Sequence, residues 1–427
     1  MSTDKAKMSS CNKAKIDREM FEEKQATLAL RVAPREVGGL MTKLKKFTVR
    51  GRGRRSVVDE KDGDSKTTKV IVLDPALVPS VEDLDKIVDP ASREKAGAEL
   101  IDWEVRNGYE HLTVEQVLRR LIPEDIKELP SSFETVGHLA HLNLREEVLP
   151  WRYEVGQVIL DKNPVLRTVV TKVGSIENQF RTFPMEVIAG ENSTEVEVKE
   201  YGCIFRFDFA DVYWNSRLHE EHWRLVNRFN ANEVLVDAFC GVGPFAIPAA
   251  RKGLKVYASD LNPKSYAALV GNIAANKVEK LVTASNEDAR AFIPRIVSTG
   301  VVPDHVVMNL PASGLEFLDA FRGAFDPDVF DGTATGVAMN DADNEPAAKR
   351  AKRSDDAKPL LPLVHCYCFS SAEDYKEDIV ARAEQSLGCS LDRDAVEVRQ
   401  VRDVAPRKMM YCLHFRVPAA AAFAKSE

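Results

Sequence analysis

Four strand–helix repeats follow one another between residues 233 and 325. They read EVLVDAF with PFAIPAARKG, LKVYASD with PKSYAALVGNIAANKV, KLVTASNED with ARAFIPRIV, and DHVVMNL with SGLEFLDAFRGAF. Strands separated by single helices close their hydrogen bonds through right-handed crossovers, which gives a parallel sheet covered by helices on both faces. No other stretch narrows the choice of fold as far, and it predicts an α/β, doubly wound, mostly parallel sheet. Residues 326–358 interrupt the series with Asp, Gly, Asn, Ala and the run AKRAKR before LPLVHCYCFS resumes it. A segment so poor in apolar residues cannot bury a core, so it is expected to be a surface insertion without order of its own. A helix near 372–387 and the strand patterns AVEVRQVRDV and MMYCLHFRV complete this part.

A chain of 427 residues exceeds one hydrophobic core. The expected division is a polar disordered tail 1–18, a small mixed domain 19–128, a second small module 129–200, and the strand–helix domain 201–427. No apolar run is long enough to span a bilayer and no secretory signal precedes the first domain, so no membrane partner is expected. Seven cysteines lack the paired spacing of a zinc site, which predicts reduced thiols and no metal. The net charge of -7 conceals the stretch MTKLKKFTVRGRGRR, residues 41–55, with seven basic residues and no acid. That patch suits a polyanion.

The sharpest local signal is VLVDAFCGVGPFAIPAA, residues 234–250. Gly241-Val-Gly243-Pro-Phe-Ala246 fits the loose dinucleotide fingerprint, with Asp260 at the end of the next strand. Asp237 would set negative charge beside a pyrophosphate, however, and Pro244 removes an N–H from the helix start that would hold it. S-adenosylmethionine has an ammonium group, a ribose and an adenine but no phosphate, and acids at successive strand ends, Asp237, Asp260 and Asp288, suit it. Taken singly, Asp260 or Asp288 reads more readily as a helix N-cap, and it is the three acids together that point to the cofactor. Asn309-Leu-Pro311-Ala312 ends the fourth strand, where an amide and a rigid carbonyl can grip a planar nitrogenous group or simply turn the chain. Phe239, Leu261, Asn262 and Ala289 flank these positions and join the candidate cofactor set.

The runs FRTFPMEVIAGENSTEVEVKEYGCIFRFDFADVYWNSRLHEEHWRL, DAFCGVGPFAIPAA, ASDLNP and VVMNLPA resemble the archaeal and eukaryotic tRNA guanine-N1 methyltransferase family that modifies position 37, beside the anticodon. HLAHLNLREEVLPWRYEVGQVILDKNP is similar to its eukaryotic members. The resemblance implies a class I Rossmann-like methyltransferase domain after two small α+β domains, one of which grips the outer corner of tRNA. It implies S-adenosylmethionine as cofactor, tRNA as partner and a monomer. It also assigns Glu221 as the base that takes the N1 proton, and Arg181 as the cation that stabilises negative charge on O6. Asn309 and Pro311 would hold the flipped guanine, with Arg217 a further substrate contact. Without the resemblance, Glu221 reads as a solvated helix residue, Arg181 as a surface or phosphate-contacting arginine, and Trp214 and Trp223 as core. Transfer of an aminocarboxypropyl group to the same tRNA region, and non-catalytic tRNA binding, are the alternative functions. Cytoplasmic location with nuclear and mitochondrial pools is expected, the run AKRAKR being a candidate nuclear signal.

Overall fold

The computed structural model describes residues 14–59, 68–130, 132–174, 180, 182–333, 358–405 and 407–425. It forms two compact units. The first takes in the chain up to Glu134 with Ala140–Lys172 and Glu186–Ser193, and the second takes in Thr135–Leu139, Val173–Met185 and the chain from Thr194.

In the first unit, strands β1 (Glu23–Val32), β2 (Val57–Val58), β3 (Lys69–Val72) and β4 (Glu99–Asn107) form an antiparallel sheet in the order β2-β3-β1-β4. Helices α1 (Val37–Leu44) and α2 (Val81–Ile87) bury Leu40, Leu44 and Leu84 against Leu30, Ile71 and Leu73. The short helix α3 (Pro90–Lys95) follows, begun by Asp89, whose carboxylate accepts from the Ser92 N–H. A second core joins Phe21, Tyr109, Val117 and Leu118 to Val155, Val158 and Val169. It gathers helices α4 (Val114–Leu121) and α5 (Arg152–Lys162) with strands β6 (Leu139–Leu142), β7 (Thr168–Lys172) and β8 (Met185–Gly190) of a four-stranded sheet that begins with β5 (Glu134–Val136). The second core draws on Phe21 as well as on residues from Tyr109 onward, so the two cores interleave in sequence. Helix α4 shows an apolar face in sequence, but the partner of that face lies about thirty residues further on, where no local pattern reveals it. Of the tail expected over 1–18, residues 1–13 lie outside the described residues, and Arg18 pairs with Asp161 at 2.9 Å and lies over the Tyr109 ring.

The second unit opens with a hairpin, β9 (Glu195–Glu200) and β10 (Cys203–Asp208), whose turn places Tyr201 at φ 46° and Gly202 at φ 76°. Its main sheet has seven strands, β11 (Val234–Asp237), β12 (Lys255–Ser259), β13 (Val282–Ser285), β14 (His305–Met308), β15 (Leu363–Ser370), β16 (Glu397–Ala405) and β17 (Lys408–Arg416). Their order is β13-β12-β11-β14-β15-β17-β16, with the first five parallel and β17 antiparallel to both neighbours. The order reverses direction between β11 and β14, the place where open α/β sheets bind ligands. Helices α6 (His219–Asn227), α7 (Ala246–Arg251), α8 (Pro263–Ala275), α9 (Ala289–Ser298) and α10 (Tyr375–Leu387) accompany it.

The fourth expected helix is instead a 3-10 helix, Gly314–Phe321, burying Leu315, Leu318 and Phe321. Apolar residues three apart line up on a helix of three residues per turn. Residues 326–333, assigned from sequence to the insertion, are part of the fold. Phe330 is 4% exposed and packs edge-on against Phe325, and Asp331 bridges to Leu360. Residues 334–357, with AKRAKR, lie outside the described residues. The cysteines at 203, 240, 366, 368, 389 and 412 are all free, and of these only Cys389 is not buried.

Candidate active site

A cavity of about 800 Å³ opens at the switch point of the second unit, within the size range of small-molecule sites. The loop after β11 is shaped by backbone donors. The Gly241 N–H and Asn262 N–H each donate at 2.9 Å to one oxygen of Asp260, so this carboxylate ties the first strand's loop to the second's. Burial raises the Asp260 carboxyl above its ordinary range, opposed by those two N–H groups. Gly241 sits at φ 51°, and Gly243 at φ 101° has no room for a methyl group, which would lie 2.8 Å from Ile247 and 2.9 Å from Leu269.

Of the residues singled out from sequence, Phe239, Gly241, Asp260, Leu261, Asn262, Asp288, Ala289, Asn309 and Pro311 all line the cavity. Asn262 and Asp288 also cap α8 and α9, accepting from Lys264 N–H and Arg290 N–H at 2.9 Å. For Asp288 the capping and cavity readings thus coexist, whereas α8 is capped by Asn262 and not by Asp260. The Asn309 Oδ1 on that wall is a buried acceptor without a hydrogen-bond partner among the described residues. Asp237 is fully buried and not part of the wall, although its sequence neighbours Ala238 and Phe239 are. Neither of its carboxylate oxygens makes a hydrogen bond of ordinary geometry, and burial pushes its carboxyl up to about 8, opposed only by the Phe239 N–H. The unanswered Asn309 oxygen together with the Asp260 carboxylate fits a polar cofactor carrying hydroxyl and amino groups.

Four further sequence candidates are not among the wall residues described. Gly243 packs beneath the loop, Arg217 is exposed and off the wall, and Arg181 lies outside the described residues. Glu221 is 8% exposed and does not line the cavity. Its two carboxylate oxygens accept from Arg224 at 2.7 Å each, and Oε1 also accepts from the Tyr367 hydroxyl at 2.8 Å.

Other wall residues were not singled out from sequence, among them Phe317, Phe369 and Lys408, and also Tyr213, Asn215 and His222, which lie within the run that carries the resemblance. His222 is 5% exposed, and its Nδ1 lies 3.6 Å from a Glu200 carboxylate oxygen. Trp214 is buried and also lines the cavity. Trp223, expected in the core, is 38% exposed and stacked on Tyr201, because it sits on the α6 face next to the one that His222 and Leu218 turn toward the cavity. The period of α6 marks which residues share a face, but it does not say which face the hairpin will cover.

Residues 196–328 match the family model described as the TRM5/TYW2 methyltransferase domain, and residues 114–194 match the TYW2 N-terminal domain. A Phytophthora infestans protein described as tRNA (guanine(37)-N(1))-methyltransferase is 42% identical, with 96% of this chain and 94% of that protein covered. The Homo sapiens protein of the same description is 35% identical over 95% of this chain and 76% of its own length. Among solved structures, a complex of aTrm5 with tRNALeu superposes with a TM-score of 0.65 at 23% identity, covering 91% of this chain and 99% of that one. Trm5b from Pyrococcus abyssi gives a TM-score of 0.55 at 24% identity over 92% of this chain and 99% of its own.

Proposed function

The chain belongs to the tRNA (guanine(37)-N(1))-methyltransferase family, and we propose on that premise that it methylates N1 of guanosine 37 in tRNA, using S-adenosylmethionine held in the cavity at the β11–β14 switch. The observation that carries this is the wall itself, where Asp260, Asp288 and the unanswered Asn309 Oδ1 converge beside a glycine loop. When bound, the cofactor supplies an electrophilic methyl group on a sulfonium.

The chain's own residues do the rest. Asp260 keeps one lone pair on each oxygen beyond its two backbone bonds, enough to accept from ribose hydroxyls. Asp288 lies where it can accept from an exocyclic amine. Asn309 offers a buried oxygen to an N–H on the edge of a planar base, and Pro311 fixes the turn, its carbonyl accepting from Phe369 N–H at 3.0 Å. Guanine N1 is protonated at neutral pH, so a base must remove its proton. Glu221 takes that role in this reading after its carboxylate exchanges the bonds to Arg224 and Tyr367 for the substrate. Arg181 supports charge on O6. In the first unit the exposed Lys43, Lys45, Lys46 and Arg55 contact tRNA phosphates away from the anticodon loop, while Arg52 and Arg54 already donate to Lys162 O and to Asn107. The enzyme acts as a monomer, in the cytoplasm with nuclear and mitochondrial pools.

Incubation with labelled S-adenosylmethionine and unmodified transcripts carrying G37 or A37, followed by nucleoside analysis, tests the reading. N1-methylguanosine from the G37 transcript alone is expected, and an aminocarboxypropyl nucleoside or no product overturns it. Glu221→Gln should lower the single-turnover rate by about 10² to 10⁴ while both substrates still bind. An unchanged rate would remove Glu221 from the base's role.

A further inference from the structure

On the face of α6 adjoining the cavity, Tyr201 and Trp223 stack with ring centroids 4.4 Å apart and planes 5° from parallel. His219, one turn before Trp223, lies 6.3 Å from Tyr201 at 27°. His219 and Trp223 share one helix face, and both rings run near-parallel to Tyr201. Tyr201 remains 39% exposed and Trp223 38%. Large aromatic rings of this size are usually well buried.

The turn that carries Tyr201 was built at some cost. Tyrosine occupies a left-handed position, φ 46°, that asparagine or glycine would adopt without strain. The neighbouring Gly202 carbonyl is clamped by the Arg251 guanidinium. The surrounding charge decides what such a surface can hold. Glu220 lies beside the ring system, its carboxylate 3.1 Å from His219 Nε2, which disfavours a phosphate but leaves the uncharged face of a base unopposed.

We infer that the Tyr201–Trp223 stack is a platform for an unpaired nucleobase of the tRNA anticodon loop next to the one drawn into the cavity. The inference rests on the tRNA reading above. Extracting a base from a stacked loop leaves its neighbour with an exposed face. A flat aromatic surface one helix face from the cavity is positioned to cover it, and base–aromatic stacking is indifferent to base identity.

Two variants of the full-length protein test the platform. Tyr201→Asn removes the ring and relieves the turn, and Trp223→Ala removes the other half. Each should weaken binding of an unmodified tRNA transcript by roughly 5- to 150-fold. S-adenosylmethionine affinity and the single-turnover rate at saturating tRNA should stay within about twofold, and Trp223→Phe should restore most of the loss. A transcript made abasic next to position 37 should bind the wild type more weakly and bind the two variants no worse than the intact transcript. Unchanged tRNA affinity in both variants, or parallel loss of cofactor affinity, overturns the platform. Failure of the wild type to methylate G37 at all would instead overturn the reading beneath it.

Discussion

Asp237 has no hydrogen-bond partner of ordinary geometry and no exposure, and the consequence is a stability that depends on pH in the opposite sense from most carboxylates. Its folded carboxyl is pushed up to about 8 from 3.8, so between those values the folded protein holds a proton that the unfolded chain has released. Stability therefore falls as pH rises through this window, by up to about 1.4 kcal/mol for each pKa unit of displacement. Asp237→Asn, which carries no ionisable proton, should melt with a flatter pH dependence in the cofactor-free protein and should exceed the wild type in Tm above about pH 8. Parallel profiles for the two proteins would mean that the carboxylate finds a partner in solution. At this scale the sequence was informative about residue type and poor about occupancy. Asp260 and Asn309 were legible because strand ends face the cavity. The state of Glu221 was not, because one of its partners, Tyr367, arrives from 146 positions away.

The glycine loop shows how much an element depends on one missing side chain. Gly243→Ala combines a left-handed backbone with a methyl group pressed into Ile247 and Leu269, and both of those atoms end branched side chains packed in α7 and α8. Destabilisation of about 1 to 3 kcal/mol is expected, together with weaker S-adenosylmethionine binding, since the same loop carries Gly241 and Phe239 on the cavity wall. Thermal melting and calorimetry check the two effects separately, and a variant as stable as wild type would show that the loop can shift at little cost. The strands β11 to β14 were readable for a physical reason. Buried on both faces, β11, β12 and β14 appear as short apolar runs closed by a polar or glycine turn, whereas the edge strand β13, VTAS, is only partly buried. The 3-10 helix was not readable as such, because Leu315, Leu318 and Phe321 fit the i, i+3 contacts of an α-helix equally well. The partner of α4 was hidden because packing between distant segments leaves no periodicity.

For the molecule as a whole, the boundary of the insertion is set by Phe330. Removing residues 334–357 should leave methylation and melting nearly unchanged, because Asp331 N–H already donates to Pro359 O at 2.7 Å and the cut ends lie together. Phe330→Ala, only four residues upstream of the cut, should cost about 3 to 5 kcal/mol. Equal behaviour of the two variants in thermal unfolding would contradict this division. Composition alone placed the boundary too early, since a lone phenylalanine among aspartates reads as a loop until its contact with Phe325 is seen. The free thiols lead to a different use of the same sheet. Cys366, Cys368 and Cys412 are 0% exposed on the neighbouring strands β15 and β17, so an aromatic disulfide reagent reaches them only when those strands part. Their reaction rate, set against that of the partly exposed Cys389, is a label-free measure of how often the sheet opens, and of how far a bound methyl donor suppresses that breathing.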